Sequence, residues 1–268
     1  MHRIMKKNRT YALLALASLT LCWSNPASAA QKTYETGYSS ITRISADLYK
    51  ALDKKKRANL MPVPVLLEKN PTPFMEPSTY SDGTNFWQAV YISAGFVDFL
   101  NFLAHAKAME GEGQGEFKRY VGGLGSANVT PPPFQPVSND KGWSFDTMNH
   151  QVSQFNQMAG ALIAIEMAHH YLGHYKKYEA RLKDAQGNPI AINTLVTPQE
   201  WQEAVMKGAR NALDCGIGVD GLKAVLETME NKETRPAWSI YFVPPQAGIP
   251  KVKRQLTMLE KDFFMIGK

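Results

Sequence analysis

The chain has 268 residues, with 30 Lys and Arg against 24 Asp and Glu and a formal net charge of +6. Four of the cations, Arg3, Lys6, Lys7 and Arg9, stand in the first ten residues and leave 26 against 24 beyond them, a balance that argues against a nucleic-acid-binding surface. No apolar run of about twenty residues follows the N-terminal segment, so a second membrane span is not predicted.

Those four cations open a segment that reads as a signal peptide over residues 1–30. The apolar run 11–23 follows, and then the small residues of Pro26-Ala27-Ser28-Ala29-Ala30. Cleavage there starts the mature chain at Ala30 or Gln31, a single domain over residues 31–268 in a secreted or periplasmic setting. Cys22 follows Leu21, a large residue where a lipoprotein signal needs a small one, so removal with the peptide is expected and an uncleaved anchor is the alternative. Only Cys215 then remains, which leaves no internal disulfide and puts stability on the core.

Residues 36–57 carry Ile41, Ile44, Leu48 and Leu52 on one stripe, which predicts an amphipathic helix. The run Lys54-Lys55-Lys56-Arg57 at its end reads as a solvated face. Residues 61–83 hold Pro71, Pro73, Pro77 and Asp82-Gly83 and read as extended and turn-rich, with one short strand over 63–67. Residues 85–95 read as an edge strand ending in a turn at Gly95. Phe96, Phe99, Leu100 and Leu103 then recur at helical spacing, with His105 a possible extra metal ligand or a hydrogen-bonded histidine.

Residues 111–143, rich in Gly and Pro, read as a connector or a rim over a cleft, and Asn128-Val129-Thr130 matches a glycosylation sequon. Residues 145–174 read as one or two helices capped near Ser144 or Asp146. Cations over 176–181 close that helix, and 184–189 form a loop. Thr197-Pro198-Gln199-Glu200 is a helix start with a threonine cap, a proline at the first position and a glutamate at the third, and the helix runs to about Leu213. Gly216 and Gly218 break the chain. Residues 220–229 form another helix, 236–244 a short strand or packing loop, and 252–264 a final amphipathic helix.

Ionisable side chains cluster inside an apolar, helix-forming run at one place, Ile165-Glu166-Met167-Ala168-His169-His170-Tyr171-Leu172-Gly173-His174, which holds three of the six histidines. On a continuous helix, Glu166, His169, His170, Gly173 and His174 fall within one broad arc. Residues 158–165 are apolar all round, as in a helix that enters the core. A carboxylate and imidazoles buried at its end require pairing, hydrogen bonds or a metal.

This stretch resembles the active-site helix of gluzincin metallopeptidases of the CAAX-prenyl protease and periplasmic chaperone-protease type, which reads H-E-[LI]-[AG]-H-x-x-x-G-H. Glu166, Ala168, His169, Gly173 and His174 are in register, but Ile165 stands where the first zinc-binding histidine belongs. In H-E-x-x-H the two histidines hold zinc and the glutamate activates the bound water; isoleucine cannot ligate. The family's third ligand is a glutamate within E-x-x-A-D on a later helix. Its nearest counterpart is Arg210-Asn211-Ala212-Leu213-Asp214, which keeps the aspartate and puts a permanent cation, Arg210, at the ligand position. A fainter likeness covers residues 85–103. The resemblance implies an α+β, mainly α fold: a zincin-like helical domain with a small β-sheet beside the active-site helix.

Four readings follow. In the first, the chain is a metal-dependent peptidase with a rearranged site, His169, His170 or His174 with Asp214 holding zinc and Glu166 acting as general base. In the second, the scaffold has lost peptidase activity and serves as an exported binding or chaperone-like module for a peptide or protein partner. Glu166 then pairs with Arg210, and Asp214 fixes a histidine tautomer. In the third, Glu166-x-x-His169 belongs to a di-iron bundle, which needs a second such pair that the chain lacks. The fourth is a buried polar network in a helical protein.

Overall fold

The computed structural model describes residues 26–58, 60–112, 115–125, 130–185, 189–231 and 235–266. Residues 1–25 of the expected signal peptide, Cys22 included, lie outside this set, as do Asn128 and Val129 of the sequon; residues 26–30 lie in the first helix. In chain order the elements are α1 (Pro26–Ala51), α2 (Lys54–Ala58), β1 (Val65–Glu68), β2 (Met75–Ser81), β3 (Phe86–Ser93), α3 (Ala94–Ala108), α4 (Glu116–Leu124), α5 (Asn139–Gly142), α6 (Phe145–Tyr171), α7 (His174–Tyr178), α8 (Pro198–Asp214), α9 (Asp220–Thr228) and α10 (Ile249–Ile266). The fold is α+β and mainly α, with one small sheet. Among the described residues no helix is long and apolar enough to cross a membrane.

The fold is arranged around α6. Its residues 158–170 are all buried, and a helix apolar on every side needs neighbours on every side. α1, α3, α8 and α9 supply them. Ser144 caps its start by accepting from the Thr147 N–H, as the sequence predicted. At the other end the prediction needs correction: α6 stops at Tyr171, and Gly173 takes a φ of +81° before α7 begins at His174. A side chain is strained in that left-handed conformation, so glycine marks the break. His174 therefore does not continue the arc of Glu166 and His169.

α8 starts with the expected capping box, Thr197 accepting from the Glu200 N–H while the Glu200 carboxylate accepts from the Thr197 N–H. It crosses α6 backbone to backbone. A Cβ added at Gly208 would lie 2.7 Å from the Ile165 nitrogen and 2.8 Å from its Cα. Further on, Ile217 packs against Gly160, so α8 and the chain after it run antiparallel to α6.

The sheet has the order β1-β3-β2, with β1 parallel and β2 antiparallel to β3. Residues 85–95, read as an edge strand, thus supply the central strand. The edge next to α6 is β2, hidden in the sequence among prolines that suggested turns. The Ser93 N–H donates to the Phe74 carbonyl. By the alternation of an antiparallel ladder, Glu76 and Ser78 then turn their backbone groups toward β3, and Met75, Pro77 and Thr79 turn theirs outward. Pro77, which has no N–H to offer, falls on the outward side, where proline is tolerated in a strand.

One more segment differs from expectation, and another takes the packing-loop form rather than the strand. Residues 111–143 contain α4, which buries Phe117, Tyr120 and Leu124, and the short α5. Residues 236–244 hold a 3-10 turn, Ala237–Tyr241. Aromatic contacts of Phe99 with Trp238 at 4.9 Å and of Phe96 with Phe242 at 6.0 Å press that region onto α3.

Candidate functional site

Ile165, at the place of the first metal ligand in the resembling motif, is buried against the backbone of Gly208. One residue on, Glu166 is 1% exposed, and its Oε2 has no hydrogen-bond partner. Burial raises its pKa well above the usual carboxylate range, and the charge of Glu76 on β2 raises it further. Both effects favour the uncharged form of this carboxyl.

His170, one turn beyond Glu166, is held by the sheet. Its Nε2 lies 2.9 Å from the Ala89 carbonyl of β3, and since a carbonyl only accepts, Nε2 carries the proton. Burial lowers its pKa to about 4, against the effect of that bond. His169 points elsewhere. Its Nδ1 lies 3.1 Å from Nδ1 of His174 across the break in the helix, and its buried Nε2 has no partner. Burial, followed by the neighbouring His174 and His170, lowers its pKa to about 3, with Glu200 opposing. Burial lowers His174 as well. Although its partial burial pulls the other way, Glu200 is held at about 2 by bonds from Lys177, the Thr197 N–H and Tyr178.

The residues expected to join from α8 do not reach this cluster. Arg210 does not pair with Glu166. Its Nε is 3.0 Å from Asp214 Oδ1, both side chains are more than a third exposed, and the guanidinium lies 5.0 Å from the Phe263 ring centre. Because α8 is antiparallel to α6, Asp214 stands toward the level of Gly160, away from His169. Among the described residues no three or more His, Cys, Asp or Glu side chains are grouped where they could hold a metal ion. The donors present do not fit a zinc centre of the resembling kind.

His105 is a packing residue. It sits edge-on to Phe134 and Trp143, both at 4.9 Å, with Nε2 2.8 Å from the Gly142 carbonyl. Cys215 is half-buried, and burial pushes its thiol pKa up.

Sequence reasoning missed Glu76. It lies on the outer face of β2, opposite Tyr91 of β3, and its pKa is raised to about 7 by burial and by Glu68, with Lys183 opposing. Glu76, Ser78 and Thr79 form one wall of a cleft whose other wall is Lys183 and Pro189, bridged as a short antiparallel pair. The cleft holds two adjoining cavities of about 380 and 440 Å³. Tyr175 of α7 closes one end, its hydroxyl 3.4 Å from Thr79 Oγ1. Alternation of Met75, Glu76, Pro77 and Ser78 between apolar and polar was the available signal, and the prolines masked it.

No family model, no curated protein and no solved structure matches the chain.

Proposed function

We propose that this chain is an exported, metallopeptidase-like protein with a degenerate active site that binds a peptide or protein segment without cleaving it, as a binding or chaperone-like module. The observation that carries this reading is the contact between Ile165 and Gly208. The place of the first ligand is occupied by an apolar side chain, buried where α8 crosses α6 backbone to backbone. The loss of Arg210 and Asp214 to a surface ion pair and the raised pKa of Glu166 point the same way. The cleft beside β2 is the binding surface, where Thr79 directs backbone groups outward for an extended segment to pair with.

A second reading, a metal-dependent peptidase with Glu166 as general base, is favoured by one observation, the buried and unpartnered Nε2 of His169. Elemental mass spectrometry of the purified protein, prepared without chelators or a histidine tag, separates the two. The binding-module reading expects far less than one zinc or iron per chain. Near-stoichiometric metal that is lost in a His169→Ala variant would overturn it.

A further inference from the structure

Resting on the peptide-binding reading, one part of the cleft is built for a particular side chain. Glu76 is half-buried, yet it accepts no hydrogen bond and joins no ion pair among the described residues. Tyr91 stands opposite it in register. Phe74 and Tyr241, whose rings pair at 5.8 Å, line the same 440 Å³ cavity, and Glu68 of β1 adds a second carboxylate to its wall. Carboxylates beside aromatic rings in a cavity wall form a cation site, the rings offering their negative faces to the charge and apolar area to an alkyl stem.

The buried acid of α6 senses the same carboxylate. Glu166 is 1% exposed with an unpartnered Oε2, and it feels the charge of Glu76. A cation bound at Glu76 favours the ionised form of that carboxyl, as the charge of Lys183 does from the rim. Lys183 is exposed on the rim and makes no ion pair with Glu76.

We propose that the cavity at Glu76 is a subsite for a lysine or arginine side chain of the bound peptide, with Glu76 and Glu68 taking the charge and Tyr91 and Tyr241 flanking the alkyl stem.

The groups facing Glu76 are Glu68 from β1, Tyr91 from β3, Glu166 from α6, Lys183 across the cleft, Tyr175 from α7, Glu179 after it and Tyr241 from the 3-10 turn. With its pKa raised to about 7, Glu76 changes charge near neutrality. A lysine stays protonated throughout that range. Selectivity for a basic side chain therefore rises with pH between 6 and 8.

The test uses alanine-based octapeptides with one central residue, lysine, norleucine or glutamate, titrated against the full chain by calorimetry at pH 6 and pH 8. The lysine peptide is expected to bind about tenfold or more tightly than the norleucine peptide at pH 8, as for a hydrogen bond to a charged group. That preference is expected to shrink at pH 6 and to vanish in Glu76→Gln, while Lys183→Ala strengthens lysine binding. Equal binding of the lysine and norleucine peptides, or a lysine preference that survives Glu76→Gln, overturns the subsite and leaves the peptide-binding reading standing. Absence of binding by all three peptides overturns both.

Discussion

His169 and His174, both buried, are joined Nδ1 to Nδ1 at 3.1 Å across the bend that Gly173 makes after α6. Such a bond needs a proton on one ring and a lone pair on the other, so it exists only while at least one of the two imidazoles is neutral. The pair ties the end of the buried helix to the start of α7.

Replacing His174 by alanine leaves His169 with both ring nitrogens buried and unpartnered. The expected loss is about 1–3 kcal/mol, the cost of an unsatisfied buried polar group, read by urea denaturation at pH 7. An unchanged midpoint would show that the bond contributes nothing.

The same histidines make stability depend on acid. With pKa values of about 3 for His169 and about 4 for His170, against about 6.5 in an unfolded chain, the unfolded state binds more protons below pH 6.5. Their contribution is fully present above that pH and is lost as pH falls toward 4 and 3. Denaturation midpoints across this window are expected to fall with pH, less steeply in His170→Asn than in the parent chain.

Glu166 acts in the opposite direction. Its pKa is raised by burial, so its contribution is fully present below the unfolded value near 4.5 and is lost as pH rises. Glu166→Gln removes the ionisable group at nearly constant volume. It is expected to leave stability unchanged at pH 4 and to raise it at pH 8, and a destabilised variant at pH 8 would contradict the raised pKa of the buried acid.

Gly208→Ala forces a methyl group within 2.8 Å of the Ile165 backbone. A loss of about 1–3 kcal/mol is expected for overpacking at a helix crossing. Gly122 is the control: it lies in α4 with nothing within 4 Å of an added Cβ, and Gly122→Ala is expected to stabilise by about 0.5–1 kcal/mol. Thermal unfolding of the two variants in parallel checks both.

Arg210→Ala distinguishes the surface pair from the buried one that the sequence suggested. An exposed i,i+4 pair with Asp214 is worth at most about 1 kcal/mol, whereas uncovering a buried partner costs about 3–5 kcal/mol. The smaller value is expected from chemical denaturation at pH 7.

By itself the sequence determined what depends on neighbours along the chain. The buried character of the second half of α6 follows from the apolar run 158–165, and the starts of α6 and α8 from the side-chain caps of Ser144 and Thr197, because periodicity and capping are local. The cluster from Glu166 to His174 was likewise legible as the place where polar groups enter the core. Only the tertiary structure decided what those groups meet. Gly173 turned His174 back onto His169, the close crossing at Gly208 sealed Ile165, and the antiparallel course of α8 carried Arg210 and Asp214 outward to each other. β2 and its Glu76 became visible only through pairing with β3, since a proline on the outward side of an edge strand looks, residue by residue, like a turn. Partners far apart in the chain are chosen by how helices and strands cross, and spacing along one segment holds no record of that choice.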